Sequence, residues 1–182
     1  VHMENGTMLF TISQIEHLLN SGKIIPQNVR VKIDNASQLD NTKLEDLQNR
    51  MNSKGMNITG VQIIDKDSNN NRNQISPYTV DEYKYVRKML ERITEGINNK
   101  EPDIDKFTTI YMRIAESIPY DYKAIIQPDM KVAGGIYWAK HVNSSRNMYA
   151  GLKEGTCVCS GYADILKNAL SLVGIESRNN SG

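Results

Sequence analysis

The chain has 182 residues, 22 of them basic and 21 acidic, for a formal net charge of +1. That length suffices for one ordinary domain or two small ones, each with its own core. The balanced charge leaves no electrostatic footprint for nucleic acid, and no apolar run approaches the ~20 residues of a membrane-spanning helix, so neither partner is expected.

Val1-His2-Met3 reads as a cloning remnant and is set aside from the fold. Ser13-Gln14-Ile15-Glu16 has the spacing of a capping box, Ile15, Leu18 and Leu19 follow on one helical face, and Gly22 supplies a stop. After Pro26, Val29, Val31 and Ile33 alternate with polar residues as a half-buried strand does. Thr42-Lys43-Leu44-Glu45 is a second capping-box spacing, with Leu44, Leu47 and Met51 at helical intervals and Gly55 as terminator. Ile58, Val61, Ile63 and Ile64 mark another strand. The order helix, strand, helix, strand predicts a small α/β module over residues 4–65, its strands parallel where a helix crosses over between them.

Residues 66–76 are rich in asparagine and nearly devoid of apolar side chains, which predicts a linker. A second domain is expected over 77–182, making the whole chain α+β. Thr79-Val80-Asp81-Glu82 is a third capping box, and Val80, Tyr83, Val86, Leu90, Ile93 and Ile97 outline a long amphipathic helix ended by residues 98–102. Ile104, Phe107, Ile110, Tyr111 and Ile114 outline the next, stopped by Pro119. Residues 120–146 show no sustained period and carry the only tryptophan, Trp138; a loop of that length within a domain is often functional. The last helix is expected to begin near Cys159, with Tyr162, Ala163, Leu166, Ala169, Leu170 and Val173 as its apolar face and Gly174 as its cap.

Chemistry concentrates at Gly155-Thr156-Cys157-Val158-Cys159-Ser160-Gly161-Tyr162-Ala163. A cysteine on the first turn of a helix meets unpaired N–H groups and the positive end of the helix dipole, which favour thiolate over thiol. Cys159 is therefore the candidate nucleophile. Cys157 and Cys159 are too close in sequence, and point in directions too different, to form a disulfide framework; with His2, His17 and His141 as the only histidines there is no zinc-ligand spacing, and no metal or cofactor is expected.

The run from Tyr149 to Ala163, continued by Leu166 to Leu170 and Gly174-Ile175-Glu176-Ser177, resembles the nucleophile segment of bacterial transglutaminase-like proteins of papain-like fold. The upstream stretch Phe107 to Tyr122, ending Ile118-Pro119-Tyr120-Asp121-Tyr122, is similar to the helix and Tyr-Asp step that precede it there. The resemblance covers roughly residues 77–182 and implies the helical lobe of such a domain, a cysteine protease or transglutaminase acting on a protein or peptide. It places the nucleophile at Cys159 and leaves Cys157 outside the register. Trp138 and Tyr162 are candidates for the substrate cleft.

In that family a histidine that deprotonates the thiol and an aspartate that orients it follow the cysteine helix. His141 precedes the helix and reads as a loop residue rather than the base, and Asp121 reads as a turn residue. The expectation is thus a domain truncated before its histidine and aspartate, inactive by itself, with self-association through the face left by the missing sheet. The alternative is a non-catalytic binding or scaffold module whose transglutaminase-like lobe has degenerated.

Overall fold

A computed structural model of the chain describes residues 2–4, 7–23, 27–64, 77–118, 148–154 and 159–176. It is a mixed α/β structure with two compact units, Val1–Arg87 and Lys88–Gly182.

The first unit is built on a four-stranded sheet of β1 (His2–Glu4), β2 (Thr7–Thr11), β3 (Asn28–Ile33) and β4 (Asn57–Ile63), in that spatial order. Helix α1 (Ile12–Ser21) connects β2 to β3 and α2 (Asn41–Asn52) connects β3 to β4, so these three strands run parallel, as expected for strands joined by crossover helices. The register pairs Met8 with Val29 and Phe10 with Val31 on one face, and Leu9 with Arg30 and Thr11 with Lys32 on the other. Val29, Val31 and Ile33 are buried with Ile15 and Leu19 of α1 and Leu44, Leu47 and Met51 of α2.

Two strands depart from the sequence reading. His2 and Met3, set aside as part of a remnant, join Glu4 in β1, antiparallel to β2. Strand β2 itself lacks alternation, because Leu9 and Phe10 are adjacent and both buried. A strand covered on both faces carries no period-two signal.

Between Val29 and Arg30 the β3–β4 register shifts: Val29 pairs with Ile58 and Arg30 with Gly60, leaving Thr59 as the extra residue. Beside it, Tyr78 continues the sheet by exchanging backbone hydrogen bonds of 2.8 and 2.9 Å with Val61. A Cβ at position 60 would lie 2.5 Å from the Tyr78 carbonyl oxygen, so this close approach requires glycine.

The predicted helices are present, but two begin earlier than their capping-box spacing implied. The cap of α1 is Thr11, whose hydroxyl accepts from the Gln14 N–H while the Gln14 side chain accepts from the Thr11 N–H. The cap of α2 is Asp40, accepting from the Lys43 N–H at 2.7 Å. Ser13 and Thr42 lie inside the first turns. Gly22, at φ 68°, closes α1 as predicted. Arg50 of α2 reaches Glu16 of α1 at 3.0 Å; the hydrogen bond to that carboxylate holds the guanidinium above its already high ordinary pKa.

Helix α3 (Val80–Ile93) starts at the predicted box, with Thr79 and Glu82 exchanging bonds of 2.9 and 3.1 Å. The Tyr83 hydroxyl donates to the Leu39 carbonyl at 2.6 Å, and Arg87 donates to that of Ala36, so the first two turns of α3 hold the segment after β3. The helix stops at Ile93 rather than running to Ile97, because a turn with Gly96 at φ 78° follows.

In the second unit, α4 (Asp103–Ser117), α5 (Met148–Glu154) and α6 (Cys159–Leu172) are described; α6 packs on both α4 and α5. The buried stripe of α4 is Lys106, Ile110 and Ile114. Ile104, Phe107 and Tyr111, predicted to share the core face with Ile110 and Ile114, are exposed. At 100° per residue the expected set spans two faces of the helix, and only one of them is packed. Among the described residues no helix is long and apolar enough to cross a membrane.

Candidate active site

The segment carrying the candidate nucleophile is helix α6, whose first helical residue is Cys159. Its sequence explains its buried stripe and where it stops. Residues from Tyr162 to Leu172 lack proline and place Ile165, Ala169 and Leu170 on one buried stripe, continued by Val173. At the C-terminal end Ile175 N–H donates to the Leu170 carbonyl at 3.0 Å and Gly174 N–H to that of Ser171 at 3.3 Å, with Gly174 at φ 84°. That is a Schellman closure with glycine in the left-handed position, where a side chain would be strained. The expectation of Gly174 as the cap is met.

Three contacts fix the helix. Lys106 of α4 is buried, and its ammonium donates to the Val173 carbonyl at 3.1 Å, with the Asp103 carboxylate at 4.0 Å. Asn168 is also buried; its amide donates to the Asp164 carbonyl one turn back at 2.8 Å and lies 3.6 Å from the sulfur of Met148 on α5. Ser171 donates to the Asn168 carbonyl at 2.6 Å. These contacts gather in the C-terminal half of α6, where α4 holds its end through Lys106 and α5 meets Asn168 through Met148. On α5, Met148 and Leu152 are buried, while Lys153 reaches back one turn to the Tyr149 hydroxyl at 3.0 Å.

Of the residues singled out in the sequence, Cys159 and Tyr162 both belong to the first turn of α6, and Tyr162 is half-buried. Trp138, His141, Asp121 and Cys157 lie outside the described residues. His17 is exposed on α1 in the other unit. Among the described residues no group of three or more His, Cys, Asp or Glu side chains is arranged to hold a metal ion.

Lys106 and Asn168 are the residues the sequence reading missed. Their signal was available: each is a polar side chain at a helical interval within an apolar stripe, a position that calls for a specific partner. Arg113 repeats the device on α4, donating to the carbonyls of Ile93 at 2.9 Å and Glu95 at 2.7 Å, at the end of α3. No family model matches the chain, and no match to a curated protein or to a solved structure was found.

Proposed function

We propose that Cys159 is the nucleophile of a thiol-dependent acyl-transfer enzyme of the transglutaminase-like, papain-fold kind, acting on a peptide bond or a glutamine carboxamide. The observation that carries the reading is that a 14-residue helix, anchored at its far end, begins at Cys159. Backbone N–H groups of the first turn, without helical acceptors, and the helix dipole favour negative charge there. In the proposed reaction the Cys159 thiolate attacks the carbonyl carbon, forming a C–S bond and a tetrahedral oxyanion. Collapse breaks the C–N bond, and the amine or ammonia leaves with a proton. Water or a second amine then attacks the thioester, breaks the C–S bond and restores the thiol. Hydrolysis, deamidation and transamidation share this intermediate and differ in the acceptor. The histidine and aspartate that the resemblance implies for proton transfer and orientation follow the cysteine helix in that family, and no residue of this chain is assigned to either role.

Alkylation tests the assignment directly. With iodoacetamide near neutral pH, Cys159 should react about tenfold or more faster than Cys157, and its labelling should persist below about pH 8.5, where an ordinary thiol is largely protonated. Cys159→Ala should remove the fast phase and Cys157→Ala should leave it. Equal or reversed rates by mass spectrometry would overturn the nucleophile and favour the non-catalytic binding module.

A further inference from the structure

The exposed face of α4 provides an independent observation that does not rest on the reading of Cys159. Ile104 is 69% exposed, Phe107 39%, Tyr111 55% and Met112 51%. They are spaced at three, four and one residues, and with Thr108 and Ala115 they fan over about 140° of α4, from Phe107 beside the buried stripe of Lys106, Ile110 and Ile114 round to Met112 on the far side. Phe107 and Tyr111 stack, with ring centroids 6.1 Å apart and planes at 14°, giving the face a flat aromatic centre. Four large apolar side chains grouped on one exposed helix face are uncommon on a surface with no partner.

The charges around this face select the kind of partner. Helix α4 carries three acids, Asp103, Asp105 and Glu116, all exposed. Its two basic residues are turned away: Lys106 is buried against the Val173 carbonyl, and Arg113 is committed to the carbonyls of Ile93 and Glu95. On its own helix the apolar face is therefore edged by carboxylates alone, Asp105 and Glu116 beside Met112 and Asp103 beside Phe107. Nucleic acid and anionic lipid are repelled by such an edge. A second copy using the same face would bring Asp105 and Glu116 against their own counterparts, because a two-fold interface sets one patch on itself. An apolar surface with a cationic border is complementary in both respects.

We propose that this face of α4 docks a cationic amphipathic protein segment, with apolar anchors seated across Phe107, Tyr111 and Met112 and Lys or Arg side chains on the Met112 side facing Asp105 and Glu116. Helix-on-helix recognition of this type reads anchors at three- and four-residue intervals, the spacing that Ile104, Phe107 and Tyr111 present.

The test uses the full chain labelled with nitrogen-15 and titrated with a synthetic amphipathic Leu/Lys helix, with a Leu/Glu helix of the same pattern as comparison. The expected result is amide shift changes concentrated over residues 103–116, binding of Leu/Lys but not Leu/Glu, and weakening by added salt. Phe107→Ser with Tyr111→Ser, and separately Asp105→Lys with Glu116→Lys, should each weaken binding about tenfold or more. All four sites are exposed, so an unchanged far-ultraviolet spectrum checks the fold, and either double variant suffices. Shift changes elsewhere, affinity unchanged in a folded double variant, or equal binding of Leu/Glu would overturn the proposal. So would sedimentation showing a dimer that Phe107→Ser with Tyr111→Ser dissolves, or preferential binding to phosphatidylserine vesicles.

Discussion

The Lys106 ammonium, 3.1 Å from the Val173 carbonyl, sits at the end of α6 opposite Cys159. The two ends of a helix of this length are about 20 Å apart, so Lys106 acts on the cysteine only through the orientation of the helix. Its burial costs hydration, which the hydrogen bond to the carbonyl at the negative end of the helix offsets. Lys106→Met tests which effect wins, because methionine keeps most of the aliphatic stem and removes the donor. Leaving the Val173 oxygen without its donor costs about 1–3 kcal/mol, and removing a buried ammonium returns part of that. The expected net loss in urea unfolding is about 1 kcal/mol, with Lys106→Ala losing about 2–4 kcal/mol because it also opens a cavity. A Met variant as stable as the parent chain would show that the ammonium contributes nothing net. In the sequence Lys106 is legible only as a charge within an apolar stripe. What it caps is set by a helix end 67 residues away, and no local pattern encodes that distance.

Helix starts show how local rules compete. Both Thr11 and Ser13 are good capping residues, and both have Glu or Gln three positions later. The structure uses Thr11 because β2 runs through it: Thr11 is paired with Lys32 in the sheet, in extended backbone at φ −70° and ψ 163°, which is cap geometry. Seen without β2, Ser13 has the better spacing to Ile15 and Leu18. The same holds at α2, where Asp40 takes the place expected of Thr42. Thr11→Ala should therefore cost about 1 kcal/mol in thermal or urea unfolding, and Ser13→Ala within about 0.5 kcal/mol of nothing. The reverse order would return the cap to Ser13. Strands β3 and β4, α2 and its apolar stripe, the start of α3 and the Gly174 closure are all legible, because each is a local pattern of period or conformation. The buried strand β2, the early end of α3 and the packed side of α4 are not. Those depend on which neighbouring element covers them.

At the scale of the whole chain, the parallel order of β2, β3 and β4 follows from helices alternating with strands, but what completes the first unit is not contiguous with it. Tyr78 adds two backbone hydrogen bonds beyond β4, and Tyr83, fully buried, donates to Leu39 after β3. Asn41 at the start of α2 donates to the Lys84 carbonyl at 3.1 Å, and Lys84 pairs with Glu45 at 3.2 Å. Tyr78, Tyr83 and Lys84 all come after residues 66–76. A fragment ending at residue 65 contains the four strands of the sheet and both crossover helices, yet it loses Tyr78, Tyr83 and Val86 from the core and leaves the Leu39 carbonyl without its donor. Each lost large buried side chain is worth about 1.5–3 kcal/mol, so three of them approach the whole stability of a small domain. Residues 1–65 should accordingly give a broad, weakly cooperative urea transition and poorly dispersed amide resonances, whereas residues 1–93 should unfold in one sharp transition. Equal cooperativity of the two fragments would mean that the sheet and its two helices hold together alone, and that the first turns of α3 cover the module without stabilising it.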